Sequence, residues 1–449
     1  MIGNSRTMRI KKINIINFKG FQQETVCFNS NPTVIIGNNT AGKTTLLKAL
    51  QVGLGAYLQS LTQLPGGQMY RRNFSSLDKY MAFDSKQRDY VPNPEKPRIT
   101  ISADFPLTKT VDGNDVVIEN VPVDWYREYA GNYTTHTKAC AGKLMDLVST
   151  MENRRNNEKL SSIYPLVLSF GAKRTSDVQT RTTGQIKERA SRIEKAYKFA
   201  LHDRVDFEGA MYWLKHYDKN IKDKKEFEGT REAFYEALKK AIPALSEIDF
   251  DNGEIEAVVS VTGHKPERHH FSYMSDGLQS MINIVSEIAH RCIELNGWLG
   301  KEAIRMTPGV IMIDEVDVFL HPRWQRHVLQ DLMNAFPKIQ FIVSTHSPFI
   351  VQSLKQGQLI SFDENVRTEG DPFREGLEDI TSERMGLMQE VRSKRFNEMV
   401  ETARQLFDAV DNGAINKDDI KARLDQIEAD FSDDPAYVAA IKLEYKARK

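Results

Sequence analysis

Gly37-Asn38-Asn39-Thr40-Ala41-Gly42-Lys43-Thr44 is a complete G-x-x-x-x-G-K-[ST] string. An apolar run, Val34-Ile35-Ile36, precedes it, and a helical pattern (Leu46, Leu47, Ala49, Leu50) follows. That is the setting such a loop requires. A buried strand delivers the chain, glycines let it bend back, and a helix N-terminus aims its free N–H groups and positive dipole end at phosphate. Asn38, Asn39, Thr40, Ala41, Gly42, Lys43, Thr44 and Thr45 are therefore expected to wrap the phosphates of ATP. Lys43 would reach the β- and γ-phosphates, and the Thr44 hydroxyl would ligate Mg²⁺.

Composition sets the outer limits. The chain has 449 residues, of which 40% are hydrophobic, enough for a sizeable core and two or three domains. Lys+Arg and Asp+Glu are each 61, so bulk charge gives no drive toward nucleic acid, although a local basic groove remains compatible with DNA binding. Cys27, Cys140 and Cys292 are widely spaced and form no C-x-x-C, which argues against a disulfide framework or a zinc finger and suits a reducing cytosol. No apolar run approaches the ~18 residues needed to span a bilayer, and the N-terminus has no signal-peptide pattern. The expectation is a cytoplasmic protein without membrane partners.

Around the nucleotide loop the chain falls into blocks. Ile10, Ile13, Ile15-Ile16, Phe18, Phe21, Val26 and Phe28 predict antiparallel strands leading into the loop. Leu64 to Pro97, rich in Gly, Pro, Asn and charge, predicts a long loop or insertion. Ile99 to Phe105 predicts a strand, Ala139 to Met151 a helix, and Tyr164 to Phe170 a buried strand. Lys173 to Gly184 predicts a loop, 185–246 helices, and Ile255 to Val261 a strand. Helical patterns return beyond His346: Phe396, Met399-Val400, Ala403 and Leu406-Phe407, then Ile420, Leu424 and Ile427.

The second half supplies three further motifs. Val310-Ile311-Met312-Ile313-Asp314-Glu315 is an apolar strand ending in two acids. After a nucleotide loop on the same chain it predicts a Walker B element, with Asp314 holding the Mg²⁺ shell and Glu315 orienting and deprotonating the attacking water. Phe341-Ile342-Val343-Ser344-Thr345-His346-Ser347 is a second buried strand, and it ends in a histidine, one helix after the Walker B strand. Ser275-Asp276-Gly277-Leu278-Gln279-Ser280 opens an apolar helical run; Ser275 reads locally as an N-cap.

Taken in order (nucleotide loop, S-D-G, hydrophobic-Asp-Glu, S-T-H-S-P), these motifs resemble the ABC-type ATPase heads of the RecF, SMC and OLD group. Ile15-Ile16-Asn17-Phe18-Lys19-Gly20-Phe21 resembles the OLD-like N-terminal strand. Asp314-Glu315-Val316-Asp317-Val318-Phe319-Leu320-His321-Pro322 resembles the segment that follows in that branch, with Val316 where the family usually carries Pro. About a hundred residues follow His346, fewer than a Toprim nuclease domain needs. With the tail Asp433-Asp434-Pro435-Ala436-Tyr437, the chain most resembles the stand-alone ATPases of Septu anti-phage systems, including retron-linked ones, and next those of PARIS systems. The resemblance implies that Ser275 and Gly277 contact, in trans, the γ-phosphate held by a second subunit. It further implies that His346 senses hydrolysis, and that a separate nuclease of HNH or Toprim type is the effector.

The resulting expectation is an α/β fold: an ABC-type ATPase head, with a P-loop NTPase sheet and an antiparallel β subdomain, plus a helical insert and a helical C-terminal region. Lobe I would take residues 1–180 with Walker A, the insert 181–249, lobe II 250–365, and the C-terminal region 366–449. The insert, about 70 residues, reaches only about 50 Å as a helical hairpin, too short for an SMC-like arm. Catalysis is expected from Glu315, His346 and Lys43, metal ligation from Thr44 and Asp314, and assembly as a homodimer or higher even oligomer. Two alternatives stand beside the defence reading: a RecF-like DNA-repair ATPase and a self-sufficient OLD-like nuclease. His264, His269 and His270 are weighed as nuclease ligands and read instead as a solvated connection, because Lys265, Glu267 and Arg268 interleave them. Asp408 to Gly413 mimics a calcium loop but has Val410 at its third position and Asp419 at its twelfth, and is rejected.

Overall fold

A computed structural model describes residues 7–111, 115–157, 162–172, 190–203, 205–251, 253–260, 265–364, 366–387, 394–412, 417–432 and 435–447. The loop expected at Lys173–Gly184, along with His264, Gly413, Asp433 and Asp434, lies outside the described residues. The chain divides into two compact units, Met1–Glu375 and Gly376–Lys449.

The first unit runs β1 (Arg9–Phe18), β2 (Phe21–Cys27), β3 (Thr33–Ile36), α1 (Lys43–Ser60), β4 (Met81–Asp84), β5 (Asp89–Pro92), β6 (Arg98–Val111), β7 (Asp115–Glu128), α2 (Lys138–Asn157) and β8 (Leu166–Phe170). It continues through α3 (Arg192–Tyr197), α4 (Phe207–Lys222), α5 (Thr230–Ala241), β9 (Leu245–Asp251), β10 (Glu254–Val259), β11 (Glu267–His270), α6 (Asp276–Asn296) and α7 (Ala303–Met306). It ends with β12 (Gly309–Ile313), α8 (Pro322–Gln325), α9 (Val328–Ala335), β13 (Ile339–Ser344), α10 (Pro348–Gln352) and β14 (Leu359–Ser361). The second unit holds α11 (Leu377–Asp379), α12 (Lys394–Asp411), α13 (Lys417–Asp430) and α14 (Pro435–Ala447). Its core gathers Ala403, Leu406, Phe407, Ile420, Leu424, Ile427 and Ile441. Asp408 to Asp411, the start of the rejected calcium loop, lie within α12.

The expected α/β class is what forms. The central sheet has strand order β14-β3-β13-β12-β8, with parallel pairing throughout. The reason is in the strands: TVII, LVLSF, GVIMI and IQFIVS are buried along their whole length, as strands covered on both faces must be. A second sheet, β2-β1-β6-β7, is antiparallel, and a third, β11-β10-β9, is also antiparallel.

Several segments differ from the sequence reading: β9 begins at Leu245 inside the block read as helical, and β11 and β14 were not anticipated. Within Leu64–Pro97, β4 and β5 form a short hairpin; Met81, Phe83 and Tyr90 on it are exposed, so no buried face imposes a readable alternation. Strand β7 was not anticipated. It pairs with β6 residue for residue, and Pro122, opposite Asp104, interrupts its pattern.

Helix α6 is 21 residues long, about 30 Å, and is buried from Gly277 to Asn296 with the exception of half-buried Gln279. Such burial obliges its charges to pair. Arg291 lies 2.8 Å from Glu287, and the other Glu287 oxygen accepts the Asp206 N–H at 2.8 Å. Because β3, β12, β13 and β14 run parallel, their carboxyl ends share one edge, where ligands of α/β sheets bind. No described helix is long and apolar enough to cross a membrane.

Candidate functional site

The nucleotide loop occupies the turn from β3 to α1, as expected. Its backbone takes positive φ at Gly37 (149°), Thr40 (76°) and Gly42 (110°). Gly42 is doubly constrained: a Cβ there would also lie 2.5 Å from the Phe21 ring. No side chain caps α1, and no acid sits in its first turn, which leaves the helix's N–H groups and dipole for an anion. Lys43 is 7% exposed, and its Nζ donates to the Gly37 carbonyl at 2.6 Å and the Asn38 carbonyl at 3.0 Å. Burial lowers its pKa, opposed by Asp363, Asp314, Glu315 and Asp317. Four carboxylates thus act electrostatically on one ammonium. Asn38, Asn39 and Thr40 are exposed, with Ala41 and Thr45 half-buried; the Ala41 N–H closes the turn on the Asn38 carbonyl at 3.1 Å.

Walker A and Walker B meet directly. Thr44 Oγ1 donates to Asp314 Oδ2 at 2.8 Å. Ser344 Oγ donates to Asp314 Oδ1 at 2.5 Å and accepts the Glu315 N–H at 2.8 Å. Glu315 itself sits at φ 49°, a left-handed conformation that costs a side-chain-bearing residue about 1–2 kcal/mol. Strain of this kind is what functional sites store. Asp317 accepts from Thr345 Oγ1 at 2.5 Å and from the His346 N–H at 3.4 Å. His346 is exposed at the end of β13.

The donor set fits Mg²⁺. Among the described residues no group of three or more His, Cys, Asp and Glu could hold a metal alone. A magnesium ion needs no such cage: it takes one or two protein oxygens and keeps waters and substrate phosphate, and the adjoining Thr44 hydroxyl and Asp314 carboxylate would supply those oxygens.

Ser275 and Gly277 form a separate arrangement. Ser275 stands at the N-cap position of α6, but its hydroxyl makes no capping hydrogen bond and is exposed. Gly277 is buried against the segment after Walker B, where a Cβ would lie 2.5 Å from the Phe319 carbonyl oxygen. No hydrogen bond among the described residues joins either one to the nucleotide loop. His270 approaches Glu256 at 3.6 Å and His269 approaches Glu267 at 3.9 Å, both on the β10–β11 ladder.

Three contributors escaped the sequence reading. Ser344 was inside a quoted motif without a role. Asp317 follows the Walker B acids by two residues. Asp363, just past β14, accepts the Asn38 N–H at 2.9 Å, and only the pairing of β14 with β3 brings it there.

An AAA-domain family model matches residues 12–249, more than half of the chain. The chain belongs to this AAA-domain family. A second AAA-domain model, whose description names the AbiEii toxin and type IV toxin–antitoxin systems, matches residues 153–352. The AAA chain is 22% identical over 399 residues to "Retron Vc95 probable ATPase" of Vibrio cholerae serotype O1 biovar El Tor, covering 79% of this chain and 74% of that protein. It is 24% identical over 441 residues to "Retron Ec83 probable ATPase" of Escherichia coli, covering 80% and 74%. Over 134 residues it is 35% identical to "Septu protein PtuA" of Bacillus mycoides (strain KBAB4), covering 29% of this chain and 18% of that one. These are the groups that the motif order resembled, and the chain is an ATPase of P-loop type.

Proposed function

We propose that the chain is the ATP-hydrolysing subunit of a bacterial anti-phage defence complex, working in the cytoplasm, and that nucleotide-dependent pairing of two copies controls a separate nuclease. In each copy Lys43 and the loop from Asn38 to Thr45 hold the phosphates of ATP, and Thr44 and Asp314 hold Mg²⁺. Glu315 takes the proton of the attacking water, and His346 contacts the γ-phosphate. Mg²⁺ supplies charge neutralisation on the phosphates. Ser275 and Gly277 of a second copy close the site. The observation that carries the reading is the Thr44–Asp314 hydrogen bond, 2.8 Å long, which joins the two motifs into one metal-binding edge. The uncapped, exposed Ser275 hydroxyl at the head of α6 supports a role in trans. The similarity to retron and Septu proteins supports the defence setting, and the chain is expected to cut no DNA by itself.

A mixing experiment tests the composite site. Lys43→Ala and Ser275→Arg are each expected to abolish turnover. Mixed in equal amounts, they pair at random, so half the dimers carry one intact site of two and about a quarter of normal activity returns. No recovery, together with a monomer in native mass spectrometry with ATP, refutes pairing. Copurification of an HNH or Toprim nuclease in fixed ratio supports the defence role; stimulation of ATPase activity by DNA ends, with no protein partner, favours a DNA-repair ATPase.

A further inference from the structure

A cavity of about 220 Å³ lies in the first unit away from the nucleotide loop. Its walls come from five places: Ile242 and its neighbours at the end of α5, Ser260 after β10, Met281 on α6, Leu320 after Walker B, and Trp324, Val328 and Asp331 on α8 and α9. Most of this lining is apolar. Ser260, His327 and Asp331 are its polar members; the Asp331 side chain is only 14% exposed and is hydrogen-bonded to His327, which is 46% exposed. Burial raises the Asp331 carboxyl above its ordinary value, and the hydrogen bond to His327 only partly opposes this.

Two features make the cavity selective for positive charge. The carboxyl end of α5, whose last helical residue Ala241 lines the wall, presents the negative end of a helix dipole. Trp324 lines the same cavity, and an indole is the side chain best suited to a cation–π contact. Lys240, in the last turn of α5, is engaged with Glu236 at 2.5 Å and is not part of the lining. The volume is below that of drug-sized pockets, which run from about 300 Å³ upward, and suits one small group.

We propose that this cavity is a second binding site, taking a planar organic cation on an apolar body: an amidinium or guanidinium, the chemistry of an arginine side chain. The cation pairs with Asp331 and stacks on Trp324, and the apolar body lies along Met281, Leu320 and Val328. The walls join α6 to the segment after Walker B, so occupancy holds those two elements at one spacing. The binding claim does not rest on the nucleotide reading.

Isothermal titration of the full chain tests it, with benzamidine as the probe and benzamide and benzoate as neutral and anionic matches of the same shape. Benzamidine should bind once per chain, about tenfold or more tighter than benzamide, with no binding of benzoate. Asp331→Asn should remove that preference and leave benzamide unchanged. A sub-millimolar benzamidine affinity marks a site for a free small molecule. Saturation only near 10 mM marks a seat for an arginine side chain whose other contacts a partner protein supplies. Absence of saturable binding up to about 50 mM, equal binding of benzamidine and benzamide, or unchanged benzamidine binding in Asp331→Asn overturns the proposal. Should Asp331→Asn fail to fold, the three-ligand comparison in the unaltered chain decides alone.

Discussion

Glu315 is the position where stability and chemistry pull apart. Its φ of 49° lies in the left-handed region, where a Cβ costs about 1–2 kcal/mol. Glycine escapes that cost but brings an unfolded chain with about 0.4–1 kcal/mol more conformational entropy to lose. At an ordinary position Glu→Gly is therefore less stable than Glu→Ala by the entropy term. At position 315 the strain term wins, so Glu315→Gly should be more stable than Glu315→Ala by about 0.5–1 kcal/mol. Both variants delete the carboxylate and its contacts, so their difference isolates the backbone. In urea, at a slope near 2 kcal/mol per M, the Gly variant's midpoint should lie about 0.3–0.5 M higher. Turnover should fall by about 10²–10⁴ in Gly, Ala and Gln variants alike, the contribution of a general base, and ATP binding should persist. An Ala variant as stable as the Gly variant refutes the strain argument. A Gly variant that still turns over refutes the role of Glu315.

The remaining expectations follow from the same geometry. Lys43→Ala should abolish ATP binding in a fluorescent-nucleotide titration; retained affinity would dissociate the loop from phosphate. Ser344→Ala removes one hydrogen bond to the Asp314 carboxylate and one from the Glu315 N–H, a loss of about 0.5–3 kcal/mol apiece; a lower urea midpoint and slower hydrolysis with binding intact are expected. Gly277→Ala drives a Cβ to 2.5 Å from the Phe319 carbonyl oxygen. It should destabilise by about 1–3 kcal/mol and stop turnover with ATP binding by single copies unchanged, read by parallel binding and phosphate-release assays. Burial raises the Glu287 carboxyl from 4.5 to about 7, with the nearby Arg291 opposing. Its folded-state pKa is the higher one, so its contribution is fully present below about pH 4.5 and lost as pH rises through about 7. Urea midpoints compared at pH 5.5 and 8 should differ less in Glu287→Gln than in the unaltered chain.

What could be read in the sequence was whatever local chemistry forces into a short string. A loop that must admit phosphate needs Gly37 and Gly42 at fixed spacing, and an apolar strand that must end at a ligand shows Asp314 and Glu315 after five buried residues. Asp363 carries no such mark. Its neighbours in sequence are ordinary loop residues, and it reaches Asn38 only because β14 pairs with β3 across more than three hundred residues of chain. The order β14-β3-β13-β12-β8 is equally non-local, since parallel strands with similar apolar runs are interchangeable until helices and crossovers choose their places. The exposed β4–β5 hairpin stayed hidden for the opposite reason, having no buried face to write a pattern.

Ser344 shows how the pieces act together. It is fully buried on β13, the strand between Walker A's β3 and Walker B's β12. One hydroxyl holds the Asp314 carboxylate and the Glu315 backbone at once, and His346 stands two residues further along the same chain. Asp317 returns the connection, gripping Thr345 and the His346 N–H from the Walker B side. A movement of the His346 backbone is therefore felt at Asp317, because its own N–H and the preceding Thr345 hydroxyl are both bonded to that carboxylate. In a close-packed sheet such shifts pass between bonded neighbours instead of dissipating. This gives the proposed γ-phosphate contact a physical route to the two carboxylates, by way of two hydroxyls and one aspartate.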